Sequence, residues 1–159
     1  MYKKIIINFF YIFGIFLIDR LSKLWIIDIF STGEKTNIVL SKFLSLNLIW
    51  NSGIAFGLFS FNEKIFYNFL TIFILLIIII VLIMAIKSEG LEKHSFLIIL
   101  GGSLGNVFDR LFYSSVPDFI DIHYENFHWF IFNVADIFIT IGVILLILNE
   151  LFIKNKNKN

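Results

Sequence analysis

The sequence predicts an all-α membrane protein with four transmembrane helices, both termini in the cytoplasm and a small sheet on the outer membrane surface. Three observations carry this. In 159 residues, 58% are hydrophobic and 18% aromatic, with a mean hydropathy of +0.89, far above the apolar share of a water-soluble domain. Ile65–Ile86 holds no charge and contains an unbroken aliphatic run from Leu75 to Ile83, long enough to cross a bilayer. Lysines gather on one side of the predicted spans, at Lys3 and Lys4, Lys87 and Lys93, and Lys154, Lys156 and Lys158, which the positive-inside rule places in the cytoplasm.

Taken in order, the first helix is expected over about 5–30. It has no small-residue cleavage pattern before Asp19, so it reads as an uncleaved span rather than a signal peptide. The outer segment 31–64 is too long for a turn, and Leu44, Leu46 and Leu48 alternate with Ser45 and Asn47 as in a half-buried strand. Lys35, Lys42 and Lys64 lie in this segment, accompanied by Glu34 and Glu63. The second helix covers 65–86 and the third 94–113. In the outer segment 114–128, Ile120, Ile122 and Tyr124 repeat the strand alternation, and the fourth helix is expected over 129–153. Residues 1–153 thus form one domain, followed by a polar tail, 154–159, whose composition predicts disorder. Trp50 and Trp129 suit an interfacial aromatic belt.

The helices are interrupted only by one polar layer. Lys4 to Asp19 and His94 to Asp109 are each 15 residues, and Asp136 to Lys154 is 18, so at the helical rise the three acids lie roughly 22 to 27 Å from the basic ends. In a hydrocarbon core about 30 Å thick, that is near the outer edge. Arg20, Lys23 and Arg110 share the layer. A charge at the centre of a membrane costs on the order of 2.5 to 3.5 kcal/mol even on lenient scales, so such groups mark function by default. Asp19 and Lys23 share a helix face, as do Asn106 and Arg110, while Asn133, Asp136 and Thr140 follow a three-and-four spacing. Gly101 and Gly105 form a small-xxx-small pair suited to close helix packing.

Composition also removes several function classes. The net charge of +1 and the lack of a long basic patch give no reason to invoke nucleic acid. There is no cysteine for a disulfide, thiolate catalysis or a metal site. Asp121, His123 and His128 do not have the spacing of a helical zinc motif, and the two histidines read as interfacial loop residues. No metal or other cofactor is expected.

Five segments carry a resemblance. Asp19-Arg20-Leu21-Ser22-Lys23, the run from Asn51 to Gly57, the run from Gly101 to Arg110, Val116-Pro117-Asp118-Phe119, and Phe132-Asn133-Val134-Ala135-Asp136 resemble, in order, the motifs of lipoprotein signal peptidase (signal peptidase II). The resemblance spans about Asp19 to Ile139. It implies an intramembrane aspartic endopeptidase of the bacterial cytoplasmic membrane, with an extracytoplasmic β-cradle. The implied substrates are diacylglyceryl-modified prolipoproteins, cut just before the lipid-bearing cysteine. By motif, Asp118 and Asp136 fall on the catalytic pair, and Asp19, Lys23, Asn51, Asn106, Asp109, Arg110 and Asn133 on supporting positions. Two residues depart from the pattern: Arg20 replaces the usual glutamine, and Pro117 stands where an aliphatic residue is typical.

The chemistry fits such a pair, because peptide hydrolysis needs a base to activate water and an acid to polarise the carbonyl. Two adjacent carboxyls that share one proton supply both. Other classes fit less well. A serine peptidase built on Ser22 and Lys23 is disfavoured because adjacent helical residues point about 100° apart; Ser103 remains a weaker candidate. A transporter needs access from both faces, yet Ile5–Ile18 and Ile137–Asn149 hold no Asp, Glu, Lys, Arg or His. An enzyme or a lipid-binding module remains, working with membrane phospholipids around it and expected to act as a monomer.

Overall fold

The computed structural model describes residues 2–33, 37–53, 64–125 and 127–154. Ile54 to Gly57 of the second motif, Lys35, Glu34 and Glu63, and the tail beyond Lys154 fall outside those residues. The elements in order are α1 (Tyr2–Ser31), β1 (Ile38–Ser41), β2 (Leu44–Asn51), α2 (Lys64–Lys87), α3 (Gly90–Tyr113), β3 (Val116–Tyr124), β4 (Phe127–Phe132) and α4 (Val134–Leu148), closed by a π-helical turn, Asn149–Lys154. Among the described residues, four helices are long and apolar enough to cross a membrane.

α3 is the hub. It packs on α1, α2 and α4, and its apolar half buries Phe96, Leu97, Leu100 and Val107 against Ile78 and Ala85 of α2. Large side chains of α1 and α2 such as Phe9, Phe10, Ile72 and Ile80 are exposed, as expected of surface that meets lipid rather than water. The glycines permit the close approach. A Cβ on Gly101 would stand 2.7 Å from Ile15 Cβ, one on Gly102 would stand 2.6 Å from the Ala135 carbonyl oxygen, and one on Gly105 would collide with the Asp19 carboxylate. α3 therefore presents Gly101 and Gly105 to α1, and Gly102 to α4.

The four strands form one antiparallel sheet in the order β1-β2-β3-β4. The predicted alternation holds for Leu44 and Leu46, which pair with Ile122 and Ile120, but a bulge intervenes before Ile49 pairs with Asp118. The extra residue reverses the parity of β2, so Leu48 leaves that face and Asn51 joins it. This is how Asn51 comes to share a face with Asp118.

The fourth helix is shorter than the sequence suggested. Residues 127–132 are a strand, paired with β3 at Ile120↔Phe132, Asp121↔Ile131 and Ile122↔Phe130, and α4 begins only at Val134. The apolar aromatics from Phe127 to Phe132 are ambiguous between strand and helix by hydrophobicity alone. Asn133 decides the boundary, since its side chain accepts from the Asp136 N–H while the Asp136 carboxylate accepts from the Asn133 N–H, a reciprocal capping box. α3 in turn starts at Gly90 instead of about residue 94, after Glu89 at the cap position.

Candidate active site

The polar layer assembles where α1, α3 and the start of α4 meet the sheet. Lys23 is wholly buried, and its ammonium donates to Asp19 Oδ2 at 2.8 Å, Asn106 Oδ1 at 2.9 Å and Asp109 Oδ2 at 2.7 Å. All three ammonium hydrogens are thereby used. Asp19 and Asp109 are fully buried as well. The other Asp19 oxygen accepts the Ala135 N–H at 2.8 Å, in the first turn of α4, where unpaired amides and the helix dipole favour a negative charge.

Arg20 explains its own departure from the motif. Its guanidinium donates to Asp109 Oδ1 and lies over the rings of Phe108 and Tyr113, 5.3 and 5.5 Å from their centroids, a cation–π arrangement. Asp109 thus pairs with Lys23 and Arg20. Arg110 donates instead to two backbone carbonyls, Asn106 at 3.3 Å and Gly53 at 3.1 Å, and so ties α3 to the end of β2. Ser22, weighed above as a nucleophile, donates to the Asp19 carbonyl at 2.7 Å.

Beside this network stand Asp118 on β3 and Asp136 in the first turn of α4. Asn133 joins them: its Nδ2 donates to Asp118 Oδ1 at 2.6 Å, and its backbone N–H donates to Asp136 Oδ2 at 3.1 Å. Asn51 Nδ2 donates to the second Asp118 oxygen at 2.8 Å, and Asn106 Nδ2 to the second Asp136 oxygen at 2.8 Å. Asn51 is itself oriented by the Gly53 N–H, which donates to its Oδ1 at 2.9 Å. Asn106 accepts from Lys23 and donates to Asp136, linking the buried ion network to that carboxylate.

Asp118 and Asp136 both line a cavity of about 610 Å³, walled otherwise by Ile122, Phe130, Ile137 and Ile141 among mostly apolar residues. Burial pushes the Asp118 carboxyl up. The hydrogen bonds from Asn51 and Asn133 and the charge of Lys23 act the other way, the charge of Asp136 adds to the rise, and the balance lies at about 6.

All nine residues that the sequence singled out therefore fall in one connected region. Asp121, His123 and His128, weighed above as a group, do come together on the sheet, and two contacts are new: the Ala135 amide on Asp19 and the Tyr67 hydroxyl donating to the Arg110 carbonyl at 3.2 Å. Both are set by backbone groups that no side-chain pattern reports.

Four membrane-length helices, a sheet at one end and a mostly apolar cavity lined by two carboxyls define a polytopic membrane protein with a candidate reaction site. Residues 11–152 match the signal peptidase (SPase) II family. The chain is 49% identical over 157 residues to a lipoprotein signal peptidase of Pelagibacter ubique (strain HTCC1062), covering 99% of this chain and 95% of the relative. It is 40% identical over 150 residues to that of Wigglesworthia glossinidia brevipalpis, covering 91% and 94%. A solved bacterial membrane enzyme superposes with a TM-score of 0.73 at 29% identity, over 92% of this chain and 94% of the other. The chain belongs to the signal peptidase II family, and it is a multi-pass membrane peptidase of the class that removes signal peptides from prolipoproteins.

Proposed function

We propose that Asp118 and Asp136 are the catalytic pair of an aspartic endopeptidase that cuts diacylglyceryl-modified prolipoproteins just before the lipid-bearing cysteine. The observation that carries this reading is the double grip of Asn133, which holds one oxygen of each carboxyl at the wall of the same apolar cavity. Water bound between the carboxyls loses a proton to the ionised one as its oxygen attacks the scissile carbonyl. The protonated carboxyl donates to the carbonyl oxygen; on collapse of the tetrahedral diol the C–N bond breaks, the water's proton passes from its carboxyl to the leaving nitrogen, and a diol hydroxyl returns a proton to the other carboxylate. The pair ends with one proton, as it began.

Asn51, Asn106 and Asn133 hold the carboxyls in register, and Asp19, Lys23, Asp109 and Arg110 fix the elements that carry them. The carboxylate pair faces the outer side of the bacterial cytoplasmic membrane, with the sheet as an extracytoplasmic cradle and both termini cytoplasmic; the lysines at the opposite end support this orientation. The apolar cavity wall suits acyl chains, and a single chain holds the whole set of groups, so a monomer suffices. In this reading the chain from 1 to 153 works as one domain.

A cleavage assay on matched lipidated and unlipidated precursors in liposomes tests the substrate. Cleavage is expected for the lipidated form only, because burial of acyl chains places the scissile bond. Equal turnover of both precursors would remove the lipid from the recognition step.

The pH profile tests the pair. Asp118 has a raised pKa, about 6, so its neutral, proton-donating form is lost as pH climbs through that value, and kcat/KM is expected to decline on the alkaline side. Asn51 stabilises the charged form of Asp118. Asn51→Ala should therefore shift that decline to higher pH, and an unmoved limb would show that it does not report Asp118.

A further inference from the structure

We propose that Asp121, His123 and His128 form a binding site for a divalent transition cation of the zinc class, on the opposite face of the sheet from the carboxylate pair. Along β3, Asp118 and Ile122 line the cavity, so by strand alternation Asp121 and His123 point away from it. The third member comes from β4. Continued register from Ile122↔Phe130 would set Trp129 opposite His123, but a bulge there makes His123 pair with His128 instead. The bulge turns an imidazole onto the face that already holds Asp121 and His123, the kind of re-aiming for which bulges are retained.

One ligand atom from each residue lies within 4.8 Å of the others. Asp121 Oδ2 is 2.8 Å from His128 Nδ1 and 4.0 Å from His123 Nδ1. Ligand atoms around a tetrahedral zinc stand about 3.3 Å apart, so the two separations bracket the required one. A carboxylate with two imidazoles is a donor set that suits zinc, with the fourth position left to water.

Two details favour a cation over a simple acid–imidazole pair. Asp121 is fully buried, and Ser45 on β2 donates to its Oδ2 at 3.3 Å, which orients the carboxylate as outer-shell partners orient metal ligands. The His123 Nδ1 is buried and, among the described residues, has no hydrogen-bond partner, an arrangement that a metal would satisfy. His128 has 54% of its side chain exposed, which gives an ion a way in from solvent. Sites carried on paired strands are held more firmly than sites on loops, and occupation would clamp β3 to β4, just upstream of the α4 cap.

The test uses the untagged full chain in detergent, freed of metal by chelation and dialysis. Titration with Co²⁺ is expected to give one equivalent bound per chain with the visible absorption of a four-coordinate ion, and Zn²⁺ should displace it and raise the Tm. His123→Gln and His128→Gln should each abolish the absorption, and Ser45→Ala should weaken Zn²⁺ binding by roughly 10- to 100-fold. Asp118→Asn and Asp136→Asn should bind Co²⁺ like the unaltered chain, which separates this site from the peptidase reading. Should a histidine variant fail to fold, carbethoxylation mapping on the unaltered chain replaces it: Zn²⁺ should protect His128 but not His94, which is at the far end of α3 and bonded to the Gly90 carbonyl. Sub-stoichiometric binding, binding retained in the folded His123→Gln/His128→Gln double variant, or equal modification of His128 with and without Zn²⁺ would each overturn the proposal.

Discussion

Asp118→Asn and Asp136→Asn are each expected to reduce turnover of a lipidated precursor to background, a loss of at least 10²- to 10⁴-fold, which is the range that positioned acid–base transfer contributes. Asparagine keeps the shape and much of the hydrogen bonding of aspartate while removing the group that exchanges a proton. At Asp136 that conservatism matters, because the carboxylate also accepts the Asn133 N–H in the capping box of α4, and the amide oxygen can still do so. The variants should therefore insert and fold, and their failure should lie in the chemical step. Asp28→Asn is the control, since Asp28 is exposed on α1. The measurement is turnover normalised to folded, detergent-extracted protein. Substantial turnover by either variant, alongside a folded but inert Asp109→Asn, would move the chemistry from the proposed pair to the buried ion network.

Much of the helical frame was legible because it is written in composition and in unbroken apolar runs. Ile65–Ile86 could be little else, and α2 covers it. The polar layer was legible for the same reason: an ionisable side chain in such a run has few roles, and Asp19, Lys23 and Asp109 meet at one depth as their spacing suggested. The pairing within the layer was legible only in part: Asp19 with Lys23 follows from their four-residue spacing, but the partners of the arginines do not. Side-chain spacing on α3 groups Asn106 with Arg110, yet the guanidinium reaches the backbone carbonyls of Asn106 and Gly53 while Arg20 takes Asp109. Partner choice depends on how α1 rotates against the glycine face of α3, which a single helix does not encode.

The sheet was legible only in outline. Strand alternation foretold Leu44 with Leu46 and Ile120 with Ile122, but the bulges at the β2–β3 and β3–β4 pairings escaped it, and each of these two decides which residue joins a polar cluster: Asn51 beside Asp118, and His128 beside Asp121. Periodicity arguments assume an unbroken count of two, and one extra residue inverts every assignment beyond it. Trp129 to Phe132, the greater part of the last strand, reads as the start of the fourth helix for a related reason. Its aromatics are apolar enough for a span, and only the pairing with β3 separates the two conformations.

Lys23→Met is expected to cost the fold about 3 to 5 kcal/mol, the usual consequence of breaking a buried pair and leaving the other charge uncompensated. Lys23 is fully buried and serves Asp19, Asp109 and Asn106 at once, whereas Asp109 retains Arg20 if the lysine is lost. Among the described residues Asp19 retains only the Ala135 amide, so most of the penalty should fall on that carboxylate. Adding Asp19→Asn to Lys23→Met should therefore recover a large part of the lost stability, while Asp109→Asn on the same background should recover less. The thermal midpoints of the three variants in one detergent decide the matter. The same set bears on activity, because Asn106 loses a donor to its carbonyl and with it the fixed orientation of the amide that holds Asp136. Turnover of the stability-rescued double variant should stay well below that of the unaltered chain. A Lys23→Met protein that melts with the unaltered chain would mean that the two acids take up protons and stay buried without a cation, and that the lysine does not hold the layer together.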